Sequence, residues 1–155
     1  MTTHTIFLQK ALAVAKRSLE NGNLPFGCIL VSAEGNVLAE GENTVLTSND
    51  AIAHCEINLV QQLKGKYSPE FLQGCSVYAS TEPCAMCAGA IFWAGIGIVV
   101  YALNKEAYHQ ISGTSNPAHM LNMKAATLLS HGGRKVRVLG PLLEEEAAVF
   151  YSTCR

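Results

Sequence analysis

Apolar residues recur at Leu8, Leu12, Ala15 and Leu19, the spacing of one helix face, and predict a helix over residues 5–21. Asn21-Gly22-Asn23 ends it in the manner of a C-cap. Two short runs follow, 27–31 and 37–42, joined by the turn Glu34-Gly35-Asn36, and read as a β-hairpin. Residues 43–50 are polar and predict a loop. A helix is expected from position 53 or 54 to 63, then a connection over 65–74 with a short helix after Pro69. Residues 75–80 read as a strand. Pro83 suits a first helical position, and 84–94 as a buried helix. The β-branched run 96–101 predicts a buried strand. Residues 105–123 show no legible period. A helix over 122–130, a turn at Gly132-Gly133, a strand over 136–139 and a helix over 142–151 complete the chain. A hairpin followed by strand–helix alternation predicts an α/β fold, a three-layer α/β/α sandwich with a five-stranded mixed sheet. With no repeat or linker, residues 1–155 are expected to form one domain.

Composition narrows the functional classes. Hydrophobic residues make up 49% and charged residues 15%, which excludes disorder. So little charge implies that a partner chain covers some apolar surface, and a homodimer is expected. Eleven Lys and Arg stand against 12 Asp and Glu, a net charge of -1, which lacks the basic footprint of a nucleic-acid binder. Arg134, Lys135 and Arg137 read as a solvated edge. Residues 83–104 carry no charge and are long enough to span a bilayer. Gly89, Gly95 and Gly97 punctuate them and their pattern changes midway, so a membrane span is not expected. The N-terminus lacks a secretory apolar core, and two of six cysteines are spaced Cys-x-x-Cys. Metal binding in a reducing cytoplasm is therefore expected rather than a disulfide framework.

Two motifs carry chemistry. His54-Cys55-Glu56 stands at the start of one helix, and Pro83-Cys84-Ala85-Met86-Cys87 at the start of another. Their combination resembles the H-x-E…P-C-x-x-C signature of zinc deaminases. Catalytic zinc takes three protein ligands and leaves a fourth position for water, and His54, Cys84 and Cys87 supply such a set. Cysteines three apart share a helix face, and a helix N-terminus favours thiolates. His54 and Glu56, two apart, would not share a face in mid-helix. At a helix start, side chains tilt toward the N-terminus, so both can reach a pocket beyond it. Glu56 would then stay off the metal as catalytic acid and base, moving a proton from the activated water to the ring nitrogen and the leaving amine. Cys-x-x-Cys alone also occurs in redox sites and structural zinc knuckles. No fourth ligand closes this set, which counts against a purely structural metal, and Cys55 should point elsewhere.

The chain resembles the cytidine deaminase-like superfamily, in the branch of guanine deaminases, bacterial tRNA adenosine deaminases and fungal-type cytosine deaminases. The resemblance covers 5–103 and rests on Pro25-Phe26-Gly27, the Asn43 loop, Ser48-Asn49-Asp50, the His54 motif and Thr81 through Ala90. It implies the α/β/α sandwich, a dimer and bound Zn2+. Cys55 departs from the pattern, where alanine is usual. By position, Asn43 resembles the asparagine that hydrogen-bonds the base edge, with a turn residue as the alternative. Phe26 resembles an aromatic that packs on the ring, with core packing as the alternative. Phe92 and Trp93 read as core or interface, Cys28 and Cys75 as core, and Cys154 as an exposed thiol. Glu144-Glu145-Glu146 reads as a solvated helix start, and His109 and His119 carry no assignment.

Three substrates rank in order. Guanine or a related heterocycle comes first, on the Pro-Phe-Gly and Ser-Asn-Asp segments and the aromatic pair Phe150-Tyr151. The run from Cys84 to Ala90 also suits tRNA adenosine deaminases, but the C-terminal helix is acidic, with Arg155 its only basic residue. Cytosine comes third. A non-catalytic zinc module would have little use for Glu56. Residues 106–123 are expected to build the pocket wall.

Overall fold

The structure, a computed structural model, describes residues 1–114 and 116–154, so Arg155 lies outside the described residues. Helix α1 (Thr3–Glu20) begins two residues earlier than its apolar period predicts, because the Thr2 hydroxyl accepts from the Thr5 amide and caps it. Its Phe7, Leu8, Ala11, Leu12 and Val14 bury against the sheet. Strands β1 (Gly27–Val31) and β2 (Val37–Glu42) form the expected hairpin. With β3 (Ser76–Thr81), β4 (Ile98–Leu103) and β5 (Arg137–Leu139) they make one five-stranded sheet in the order β2-β1-β3-β4-β5. Strand β1 is antiparallel to both neighbours, whereas β3, β4 and β5 run parallel.

Alternating residues of the sheet feed two cores. On one face, Cys28, Leu30, Val77 and Ala79 meet α3 (Cys55–Gln62), α4 (Pro69–Gln73), α5 (Ala85–Ala94) and α7 (Ala125–Ser130). On the other, Ile29, Tyr78, Val100 and Ala102 meet α1, α6 (Lys105–Ser112) and α8 (Glu144–Ser152). This is the three-layer α/β/α sandwich with a mixed sheet.

Several boundaries differ from expectation, each for a local reason. Residues 43–50, read as a loop, contain the short helix α2 (Val45–Ser48), ended by Asn49 in the left-handed region at φ 51°. Pro83 precedes α5 instead of opening it, since Cys84 takes the extended N-cap conformation. Strand β4 starts at Ile98, not at 96. Gly95 at φ 97° ends α5, the Ile96 amide returns to the Ile91 carbonyl, and the Gly97 amide donates to the Leu72 carbonyl. A Cβ on Gly97 would stand 1.9 Å from the Gln73 carbonyl oxygen. The predicted helix over 122–130 begins only at Ala125. The illegible segment folds as α6, capped by the Asn104 side chain, and a 3-10 turn at Pro117–His119.

Arg134 is not a solvated edge. It donates to the carbonyls of Phe92 (2.5 Å) and Ile96 (2.9 Å) and to Gln73 Oε1 (2.7 Å), closing the C-terminus of α5. Lys135 and Arg137 are exposed as expected. Among the described residues, no helix is long and apolar enough to cross a membrane.

Candidate zinc centre

The site forms where β3 ends and where α3 and α5 begin. His54 is the N-cap of α3 and Cys84 the N-cap of α5, both in extended backbone (ψ 156° and 171°), and neither side chain caps its own helix. The two side chains are thus free to meet. His54 is not helical at all, so the poor facing of helical residues two apart does not arise. Cys87 lies in the first turn of α5 and is fully buried.

The Cys84 and Cys87 sulfurs stand 3.7 and 3.5 Å from His54 Nδ1, and the three donor atoms lie within 4.8 Å of one another. Tetrahedral zinc, with bonds of about 2.3 Å to sulfur and 2.0–2.1 Å to nitrogen, requires donor separations of about 3.6 Å. The three side chains fit the ion through Nδ1. Two thiols side by side titrate unequally. The hydrogen bond from Cys87, with help from His54, lowers Cys84 to about 4, while Cys87 is pushed up. The same contact with Cys84 raises His54.

Glu56 sits in the first turn of α3, 6% exposed, and is not among the three donors. Burial raises its carboxyl, against the pull of hydrogen bonds from its own backbone and from the Cys55 and Cys87 thiols. Cys55 is buried against Cys28 and Glu56 and takes no place in the donor set.

Asn43 is 1% exposed and locked by its backbone: its amide donates to the Phe26 carbonyl (3.1 Å), and its carbonyl accepts from Ser18 Oγ (3.0 Å). Its Oδ1 accepts from the Val45 amide (3.0 Å), as in a turn, and none of the hydrogen bonds among the described residues uses its Nδ2. The Thr44 amide donates to Ala53 O (3.0 Å), which fixes the Asn43 loop beside His54. Sequence reasoning missed the residue that organises this corner. Asn58 Nδ2 reaches Glu42 O (2.8 Å), Thr44 Oγ1 (2.9 Å) and Ala53 O (3.4 Å), and a single asparagine in a helix gives no sequence signal of such a role.

Phe26 is half-buried, with Tyr108 of α6 at 4.9 Å between ring centroids and Tyr151 of α8 at 6.2 Å. The Tyr151 hydroxyl is buried without a hydrogen-bond partner among the described residues. His109 and His119 line a cavity of about 430 Å³ with Gly113, Thr114, Asn116 and Met120, a lining that includes none of the zinc donors. Phe92 packs on the core and Trp93 is exposed. Cys28 and Cys75 are buried as expected. Cys154 is half-buried, not exposed, because its thiol donates to the Phe150 carbonyl (3.3 Å). The glutamates of α8 are solvated, as expected.

Residues 1–103 match the family model of the cytidine and deoxycytidylate deaminase zinc-binding region. The chain belongs to this deaminase family. As a deaminase it is a hydrolase acting on C–N bonds of cyclic amidines, and its cofactor is Zn2+. It is 33% identical over 143 residues to a probable cytosine deaminase of Schizosaccharomyces pombe, covering 92% of this chain and 86% of that one. It is 40% identical over 100 residues to guanine deaminase of Bacillus subtilis, 64% of each chain. The match to the tRNA-specific adenosine deaminase of Aquifex aeolicus is 36% over 101 residues, 64% of this chain and 66% of that one. The chain thus spans about two thirds of the two bacterial relatives. In structure, the deaminase superposes on guanine deaminase from Nitrosomonas europaea with a TM-score of 0.77 at 21% identity, over 96% of this chain and 82% of that one, which shows the shared fold.

Proposed function

We propose that this deaminase hydrolyses the exocyclic amino group of a free nucleobase or closely related small heterocycle, with guanine the first candidate. The observation that carries the reading is Asn43. It is buried and held by its backbone beside His54, its Oδ1 is occupied, and its Nδ2 remains as a donor for an acceptor atom on the base edge. Phe26, backed by Tyr108, supplies a ring for the base to pack on. The near-neutral charge and the exposed acidic start of α8 favour a small substrate over tRNA. Similarity to the Bacillus subtilis guanine deaminase supports guanine. The Schizosaccharomyces pombe match, which covers more of the chain, favours cytosine as the second reading.

His54, Cys84 and Cys87 would hold the zinc ion, which when bound would supply Lewis-acid activation of water near neutral pH. Glu56 would take one proton from the attacking water through a carboxylate oxygen and deliver it to the ring nitrogen, then carry the second proton, from the hydroxyl left on the carbon, to the amino nitrogen. Water adds to the carbon, the C–N bond breaks, and the base leaves as its oxo form with ammonia. Burial suits Glu56 to this work, because a carboxyl raised above its usual range holds and releases a proton nearer neutral pH. The 155 residues act as one domain in this scheme, in the cytoplasm, where zinc-ligating thiols stay reduced.

The test is ammonia release from guanine and, in parallel, from cytosine by the zinc-loaded protein. Release from guanine is expected. Release from cytosine alone would move that base to first place, and release from neither would overturn the free-base reading.

The deaminase is further proposed to work as a homodimer. Trp93 is 85% exposed on α5, the helix that carries both cysteines, and a tryptophan left in water there favours cover by a second copy. Trp93→Glu is expected to convert a dimer to a monomer in light scattering coupled to gel filtration. A monomeric parent protein, or an undisturbed dimer in the variant, would exclude this face.

A further inference from the structure

Two buried charged side chains lie outside the zinc triad and Glu56. Glu82, 6% exposed, stands between β3 and Pro83, two residues before Cys84. Lys105, 8% exposed, is the first residue of α6. Among the described residues they form no ion pair with each other or with any other side chain. A charge is kept from water only where definite partners hold it.

Both partners lie in one short stretch. Lys105 Nζ donates to the Met123 carbonyl, and Glu82 Oε2 accepts from the Ala125 amide at 2.9 Å. The second bond serves the start of α7, where the N-cap Lys124 offers no side-chain acceptor. Lys105 therefore joins the first residue of segment 105–123 to the last. Glu82 ties the far stem of that segment to the loop carrying Cys84. The Glu82 amide also donates to the Leu103 carbonyl at 2.8 Å, so the ends of β3 and β4 and the start of α7 meet at this one residue. Ligands of open α/β sheets bind beyond such strand ends. Through Tyr108 the segment also reaches Phe26, the ring proposed to pack on the base, at 4.9 Å between centroids.

We infer that Glu82 and Lys105 are positioning residues: they hold the described residues of segment 105–125 in place as a wall of the substrate pocket and thereby set substrate affinity without touching the reacting atoms. Because neither supplies a metal donor, loosening the clamp costs binding and leaves the zinc donors in place.

The experiment compares the full-length, zinc-loaded protein with Glu82→Ala, Glu82→Gln and Lys105→Met. Three quantities are read: zinc content, KM and kcat for guanine, and amide hydrogen exchange of peptides covering 105–125. Glutamine keeps an oxygen that can accept from Ala125, so Glu82→Gln should restore most of what alanine loses. For Glu82→Ala and Lys105→Met the expected result is a KM at least about tenfold higher, exchange at least about tenfold faster over 105–125, and kcat within about threefold, the worth of one buried hydrogen bond. Zinc content should be unchanged. Unchanged KM and exchange would overturn the inference. So would a collapse of kcat at fixed KM in both Glu82 variants, the mark of a proton carrier, or loss of zinc from Glu82→Ala, the mark of a support for the metal loop. If Glu82→Ala does not fold, Glu82→Gln and Lys105→Met decide the matter. The kinetic arm rests on the guanine reading. Failure of the parent protein to turn over guanine counts against that reading alone, and the exchange comparison then decides whether the clamp exists.

Discussion

Glu56→Gln is expected to keep its zinc and to lose turnover by about 10²–10⁴-fold, the usual worth of a positioned acid–base group. Glutamine preserves the shape and hydrogen-bonding reach of the side chain but cannot take up and return a proton. Glu56 stands outside the three metal donors, so the ion should be retained. Glutamine also matches the carboxylate in size, so the buried surroundings of the side chain should tolerate the change. The measurement pairs metal analysis with ammonia release on the same sample. Near-normal release from zinc-loaded Glu56→Gln would falsify the proton-carrier role. Loss of zinc along with activity would show that Glu56 supports the metal instead.

Gly41→Ala should be nearly as damaging, although Gly41 touches no substrate and lies in β2. A Cβ there would stand 2.2 Å from the Cys55 carbonyl oxygen, 2.9 Å from Leu59 Cβ and 3.1 Å from Cys28 Sγ. The first contact is backbone, so no side-chain rotation relieves it, and the start of α3 must move. That start carries His54 and Glu56 on either side of Cys55. Overpacking of this kind typically costs about 1–3 kcal/mol, and a backbone clash belongs at the upper end. Gly41→Ala is expected to lower the denaturant midpoint by such an amount and to weaken zinc binding. Gly133→Ala is the control: nothing lies within 4 Å of its added Cβ, and a loss of chain entropy in the unfolded state should leave stability level or raise it by up to about 1 kcal/mol. Equal midpoints for both variants would show that β2 and α3 do not pack this closely.

Elements with a strong period were legible in the sequence. Helix α1, the β1–β2 hairpin and the buried strands all announced themselves, because their apolar faces must reach a core whatever lies opposite. The boundaries that slipped did so where a distant partner decided them. Ile96 looks like a strand residue, yet its amide closes α5, and Gly97 is held by the end of α4. Arg134 looked like solvated charge, but carbonyls at the end of α5 claim it.

The zinc centre was legible for a different reason. Metal donors are chemically rare residue types, and both motifs sit at local helix starts, so the resemblance of the two motifs to the zinc-deaminase signature pointed to His54, Cys84 and Cys87, whose side chains the fold brings together. What the sequence by itself determined is therefore the layered α/β architecture and the metal chemistry, each written in contiguous residues. The tertiary structure alone decided what surrounds that chemistry. Asn58 gathers three acceptors from separate segments, Tyr108 reaches Phe26 across some eighty positions, and Glu82 and Lys105 grip the same stretch from different strand ends. Such contacts join single residues far apart in the chain. A single polar or aromatic residue has no periodicity, so only the folded backbone shows what it holds.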